Sequence, residues 1–395
     1  MSQADLIKTD NRIVSLDLFR GLIMVIMVLD HARGFFVGTR ISPTDLSQTE
    51  PILFFTRWMT HFCAPGFILL AGTSAFLFGY RKGKAELKSF LWKRGLLLIV
   101  LEVTIVKLGW LPEPFYLFTL LQVIWVLGWS MLLLSPLSHL SPYGLTATGA
   151  FMVISHNLLD SIKADNLGAV AFIWSFLHEP YRFEPIPGHQ IVLSYPLIPW
   201  IGVMAVGFGL GQLFVKTIPG RRKKLLRRIG YSFIFAFIVL RSINVYGDPT
   251  AWSSQNQLLF TILSFLNCEK YPPSLSFLLM TLGPIFLGLA AFERYQHQPP
   301  GWMGQTLILF GRVPLFFYVA HLYLLRLTSL TAAVLRWGEN ALKPFPEGHL
   351  GSPEYPLWVA YLATLVAIVV LYPLCNKYAS FKHQRSSQFQ WLCYF

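Results

Sequence analysis

Ten stretches of this chain are apolar over lengths that match a lipid bilayer, and that constrains its fold before any single residue is considered. A hydrocarbon core about 30 Å thick needs roughly 20 apolar residues per helix. Such runs fall at 13–37, 52–80, 90–111, 114–134, 143–160, 191–215, 229–247, 274–292, 303–335 and 356–376. Backbone in lipid must satisfy its own polar groups, so runs of this kind fold as helices. The expected fold is an all-α polytopic transmembrane bundle of about ten spans. Only 13% of residues are charged, against about 25% in soluble domains, and mean hydropathy is +0.52. A shorter apolar piece, 164–177, precedes the proline-rich HEPYRFEPIPGHQ and reads as re-entrant or interfacial rather than as a further span.

Charge placement supplies the orientation. The excess of 32 Lys and Arg over 19 Asp and Glu would suggest nucleic acid in a soluble protein. Here the basic residues gather in short loops between apolar runs, which points to membrane orientation and away from nucleic acid. RKGKAELKSFLWKR after the second run holds six Lys or Arg, and KTIPGRRKKLLRR after the sixth holds seven. Lys8 and Arg12 precede the first run, and Lys377, Lys382 and Arg385 follow the last. With ten spans all four basic segments share one side, which the positive-inside rule makes cytoplasmic. Counting 164–177 as a span would expose residues 223–228 on the other face. The reading is a cytoplasmic tail at 1–11, a transmembrane domain at 12–377 and a cytoplasmic tail at 378–395. The proline-rich connections LPEPF, HEPYRFEPIPGHQ and KPFPEGHLGSPEYP then face outward. The implied location is a membrane crossed many times, and a homo-oligomer is compatible with it.

The first run, SLDLFRGLIMVIMVLDHARGFF, carries Asp17, Arg20, Asp30, His31 and Arg33. Asp or Arg at mid-bilayer costs about 2.5–3.5 kcal/mol on insertion scales, so such groups face protein or water. Asp17 and Arg20, three apart, share a face and can pair; as terminal charges they can equally anchor the helix end. His31 lies eleven residues beyond Arg20, about 16 Å further along and on nearly the same face, whereas Asp30 points elsewhere. A histidine can take a proton from a hydroxyl or amine near neutral pH, and an arginine can hold a phosphate. Arg57 and His61 in the second run, and Arg312, Tyr318, His321 and Arg326 in the ninth, are further cavity candidates. Glu102 and Lys107 are available to pair with a neighbouring helix. Pro314 interrupts helical hydrogen bonding, as where membrane helices open onto cavities. The small residues 71–74 and the glycines at 207–211 read as helix packing.

Walker A, dinucleotide-binding and HExxH motifs are missing from the sequence, so an ATP-driven pump, a tightly bound cofactor and a metal are not expected. The run from 13 is too long for a cleaved signal peptide, and Cys63, Cys268, Cys375 and Cys393 lack metal-ligand spacing or a disulfide pattern.

The segment RIVSLDLFRGLIMVIMVLDHARGFF resembles the opening helix of the heparan-α-glucosaminide N-acetyltransferase-like membrane family, in particular its bacterial members. TRWMTHFCAPGFILLAGTSAF, YPLIPWIGVMAVGFG, RSINVYGDP, KYPPSLSFLLMTLGP and GRVPLFFYVAHLYL are similar too, so the resemblance runs from about residue 12 to 376. It implies an acyltransferase drawing an acetyl or other short acyl group from cytoplasmic acyl-CoA and passing it to an extracytoplasmic, sugar-like acceptor. The wider superfamily places an arginine, ten residues and a histidine on its first helix, and Arg20 and His31 match that spacing. By resemblance His31 is the catalytic histidine, Arg20 helps hold acyl-CoA, and the location is the inner membrane of a bacterium; the residues themselves add Asp17, Asp30, Arg33, Arg57, His61, Arg312 and His321 as supporting cavity candidates. The lysosomal member carries its proposed histidine in the loop after the first helix, where VGTRISPTDLSQTEP has none. Either His31 or His61 takes that role, or the chemistry differs. From the residues alone, a transporter or flippase of a lipid-linked or anionic substrate is the alternative, and a bundle whose polar groups only glue helices is the blandest reading. Paired broken helices in matching halves would favour a transporter, and no internal repeat is visible.

Overall fold

Helix starts in this chain are set largely by proline. The computed structural model describes residues 12–38, 41–110, 118–343, 351–385 and 388–389. The expected tail at 1–11, the LPEPF connection, most of KPFPEGHLGSPEYP and Cys393 lie outside the described residues. Pro51, Pro142, Pro219 and Pro314 open α2 (Pro51–Thr60), α7 (Pro142–Ser155), α10 (Pro219–Ile243) and α14 (Pro314–Trp337). At the first helical position a missing N–H costs nothing and the fixed φ is already helical. Ser141 and Ser274 cap α7 and α12 (Leu275–Phe292) by accepting from Gly144 N and Phe277 N. Asn244, in the left-handed region at φ 60°, ends α10.

The architecture is an all-α, multi-helix bundle with one small sheet. Helices at 51–82, 197–216, 275–296, 314–342 and 357–385 have the length and apolarity to cross a membrane, and Val123–Leu137 and Gly168–Leu177 are shorter apolar ones. The central element is α1 (Val14–Phe36), which packs against α2, α3 (Cys63–Lys82), α12, α13 (Trp302–Arg312), α14 and α15 (Leu357–Arg385). That placement explains how one helix carries five ionisable residues: its neighbours are protein on nearly every side. Elsewhere α9 (Leu197–Lys216) packs on α3 and α7, α4 (Lys84–Leu101) on α6 (Val123–Leu137), and α10 on α12.

Glycines set the closest approaches to α1. A Cβ on Gly21 would overlap the Leu307 carbonyl oxygen of α13, and one on Gly311 would overlap that of Asp17. Gly72 of α3 and Gly207 of α9 meet the Met204 and Leu69 carbonyls in the same way, which is the packing role expected of those small residues. Gly311→Ala is expected to lower stability by about 1–3 kcal/mol, because backbone rather than a flexible side chain must move. Thermal unfolding of the purified protein in detergent measures this, and an unchanged midpoint contradicts it.

Several expected boundaries are corrected. The basic segment after residue 80 is not a loop: only Gly83, at φ 90°, separates α3 from α4. Lys, Glu and Leu are good helix formers and carry the helix outward. For the same reason KTIPGRRKKLLRR is mostly the start of α10, and α15 runs on through residue 377 to Arg385. The run at 303–335 is two helices: Val313 (φ −126°, ψ 48°) leaves helical geometry, and Pro314 starts α14. The second run is likewise broken at His61 and Phe62.

The expected span at 114–134 is only partly helical. Phe118–Leu121 is a strand, β1, parallel to β3 (His189–Leu193), which pairs antiparallel with β2 (Tyr181–Ile186) in the order β1-β3-β2. A short apolar run cannot be told from a buried strand by hydropathy alone. HEPYRFEPIPGHQ forms most of the β2–β3 hairpin, turning at Gly188 (φ 82°). The piece at 164–177 is two 3₁₀ turns followed by the seven-residue α8 (Ala171–Leu177).

Candidate functional site

The basic segments meet. A cavity of about 660 Å³ is lined at one end by Arg12, Arg20, Arg81, Lys82 and Arg94, together with Arg312, Lys382 and His383. Asp17 is the one carboxylate among its described lining residues. Arg222, from the remaining basic segment, pairs with Glu293 at 2.6 Å, and Glu293 accepts from Ser15 at 2.5 Å, so that segment lies at the same end of α1. The rest of the described wall is largely apolar and includes Met24, Met27, Leu98, Leu127, Met131 and Tyr318.

Arg20 is held from three helices. Nη1 donates to Asp17 Oδ1 (3.1 Å) and to the Gly311 carbonyl (3.0 Å), and Nη2 donates to Ser74 Oγ (2.9 Å). The helix break supplies the second contact. In a continuous helix Gly311 C=O would accept from residue 315, but α13 ends at Arg312 and leaves its last carbonyls open. A guanidinium beside that negative helix end is favourable. Arg312 also lies beside Asp17, at 3.7 Å.

About three-quarters of the way along α1 a second group gathers. His31 Nδ1 stands 2.7 Å from His321 Nε2, and His321 Nδ1 stands 2.9 Å from the Phe317 carbonyl oxygen. The His31 ring meets Trp110 edge-on at 4.8 Å and Tyr318 at 6.0 Å between centroids. Tyr318 therefore belongs both to the cavity wall and to the surroundings of His31.

On another face of α1, Asp30 takes Arg33 at 3.0 Å and Arg57 at 2.7 Å. This triad ties α1 to α2. Near it, in the connection from α11 (Leu258–Leu266) to α12, Lys270 Nζ lies 5.1 Å from the Tyr271 ring. Burial disfavours the Tyr271 phenolate, but the charges of Lys270 and Arg57 outweigh that and draw the phenol down to about 8.

The structure thus joins Asp17, Arg20 and Arg312 in one group, His31 and His321 in a second, and Asp30, Arg33 and Arg57 in a third. His61 belongs to none of them: it is buried against the Phe277 ring, 5.2 Å away. Among the described residues Glu102 pairs with no basic side chain of a neighbouring helix. Its carboxylate accepts from Gln122 N (3.0 Å) and Trp125 N (3.2 Å) where β1 passes into α6, and it opens a π-helical turn, Glu102–Val106, that runs into the short α5 (Lys107–Trp110). Lys107 donates to Thr119 Oγ1 of β1. Ser74, Gly311, Arg94 and Trp110 were not anticipated in the sequence, and only Arg94, as a basic residue flanking an apolar run, carried a readable signal. Cys63, Cys268 and Cys375 are buried free thiols. Among the described residues no three His, Cys, Asp or Glu converge as a metal site.

A multi-pass helical membrane protein with a basic-mouthed cavity leading towards a buried histidine pair fits the class of membrane acyltransferases. Residues 12–247 match the family model described as heparan-alpha-glucosaminide N-acetyltransferase, catalytic, and the chain belongs to that family. The match takes in α1 to α10, with Arg20, His31, Arg57 and His61, and stops short of α13 and α14. No curated protein matches the chain significantly.

Proposed function

We propose that the protein moves an acetyl or other short acyl group from cytoplasmic acyl-CoA to a sugar-like acceptor on the far side of a bacterial inner membrane. In this reading the chain crosses the membrane ten times, with both termini and the basic cavity mouth cytoplasmic. The observation that carries it is the cavity itself: eight basic side chains in its lining, and a largely apolar remainder with three methionines and Tyr318, whose ring stands beside His31. Coenzyme A has that polarity, with phosphates at one end and a pantetheine arm leading to the thioester at the other. Arg20 and His31 are about 16 Å apart along α1, a distance an extended pantetheine arm can cover.

Arg20, fixed by Asp17, Ser74 and the Gly311 carbonyl, presents its charge to the donor phosphates without having to be ordered on binding. His31 takes the proton from the acceptor hydroxyl or amine as that group attacks the thioester carbonyl. The C–S bond breaks, and the coenzyme A thiolate recovers the proton from His31, so the base is regenerated and the products are acylated acceptor and free coenzyme A. Labelled acetyl-CoA with glucosamine as probe acceptor tests this in proteoliposomes. Release of free coenzyme A together with acetylated amine is expected; recovery of an unchanged solute on the opposite side, with no thiol released, would mark a transporter instead.

Arg20→Gln is expected to raise the KM for acetyl-CoA about tenfold or more, since hydrogen bonds to charged groups contribute about 1.5–3 kcal/mol. The acceptor KM should hardly move. An unchanged donor KM would remove Arg20 from the donor site.

A further inference from the structure

We infer that His321 fixes the tautomer of His31, so that the Nε2 atom of His31 carries the free lone pair and His321 acts as a positioning residue. The direction follows from one carbonyl. Oxygen of Phe317 can only accept, so the hydrogen at the 2.9 Å contact sits on Nδ1 of His321. A neutral imidazole has one N–H, and His321 Nε2 is then an acceptor. His31 Nδ1, 2.7 Å away, must be the donor in that bond. The remaining ring nitrogen of His31 is left unprotonated.

The ring geometry supports a true hydrogen bond. The centroids are 4.9 Å apart with planes within 14°, and a 2.7 Å N···N contact accounts for that separation only if both nitrogens lie close to the line joining the centroids. The rings are therefore nearly coplanar, edge to edge, as an in-plane lone pair requires. Both side chains are buried, and Tyr318 stands edge-on to each. His321 lies one turn after Phe317 on α14, so the relay is anchored to a helix backbone rather than to a loop.

The relay also separates the roles of the histidines. His321, with Nδ1 held by a carbonyl and Nε2 by His31, has no nitrogen left for chemistry. His31 has one. If His31 gains a proton during turnover, its Nδ1–H still points at His321, so the imidazolium is stabilised without any rearrangement. The inference leans on the acyltransferase reading only for its kinetic consequence.

Nitrogen-15 solid-state NMR of histidine-labelled full-length protein in bilayers reads the tautomer directly, with His31→Ala identifying the His31 signals by difference. Wild type should show His31 with a protonated Nδ1 and an unprotonated Nε2. His321→Leu should abolish that bias, and His321→Gln, which returns an acceptor at a similar reach, should restore it. With acetyl-CoA and glucosamine, His321→Leu should lower kcat about tenfold or more with unchanged KM for acetyl-CoA, and His321→Gln should recover most of it. Wild-type His31 protonated on Nε2, or a tautomer unaffected by His321→Leu, overturns the inference. The expected spectra without any acetyl transfer would sustain it and count instead against the acyltransferase reading.

Discussion

Replacing His31 with alanine is expected to lower acyl transfer about 10²–10⁴-fold, the usual contribution of a positioned general base. Donor affinity should stay close to wild type, because the groups assigned to the donor phosphates line the basic mouth, about 16 Å back along α1. The contrast with His61→Ala is what makes the experiment decisive. Both histidines are buried, and both sit in segments shared with the family. Only His31 has another imidazole at hydrogen-bonding distance and an aromatic neighbour that also lines the cavity. His61 rests on Phe277, so its loss should affect packing and stability far more than kcat. Steady-state kinetics of the two variants in proteoliposomes, with folding checked by size-exclusion profile, give the comparison. A folded His31→Ala protein of undiminished kcat would remove the base from this mechanism, and a collapse of kcat confined to His61→Ala would transfer the role.

How much of this was legible in the sequence differs by level. The helical class followed from apolar run lengths because lipid leaves the backbone almost no other choice. The pairing of Asp17 with Arg20 followed from their i, i+3 spacing. Asp30 pointing away from His31 followed from helical geometry. What stayed hidden depended on contacts between distant segments. Nothing near residue 311 announces that the carbonyl left open by the helix break at Val313 will be taken by an arginine 291 positions earlier in the chain. The His31–His321 bond joins α1 to α14 across 290 residues, and sequence offered each histidine separately without a reason to pair them. Strand β1 escaped because Phe-Thr-Leu-Leu is as apolar as the helix that follows it; its partner strand, some 70 residues later, decides its conformation. Basic segments were misread as loops because charge was taken as an end of structure, when Lys and Glu extend helices beyond the apolar stretch as readily as Leu does.

Asp30→Asn is expected to be the most damaging conservative substitution outside the chemistry itself. The carboxylate stands between Arg33 and Arg57, and the three side chains are 20%, 11% and 14% exposed. Asparagine preserves the shape and keeps one acceptor oxygen, but its amide nitrogen faces a guanidinium, and two guanidinium groups then lie close together in a poorly hydrated place with no counter-charge. Breaking a buried ion pair by removing one partner costs about 3–5 kcal/mol, and the residual exposure here argues for the lower figure. Arg33→Gln should be milder, since Arg57 Nη1 still donates to the Asp30 carboxylate, within reach of both its oxygens. Arg57→Gln should cost more than Arg33→Gln, because Arg57 is the member of the triad that reaches Asp30 from α2. Combining Asp30→Asn with Arg57→Gln should recover part of the stability lost by Asp30→Asn, as removing both members of a pair leaves fewer uncompensated charges. Thermal unfolding of the four variants in one detergent measures the order. Equal midpoints for Asp30→Asn and Arg33→Gln would show that solvent, not Arg57, is the main partner of Asp30. His31 is the next residue, so any loosening of α1 against α2 should also reach its ring. A fall in kcat for Asp30→Asn that the double variant reverses along with stability would trace the defect to the clamp rather than to a direct part in proton transfer.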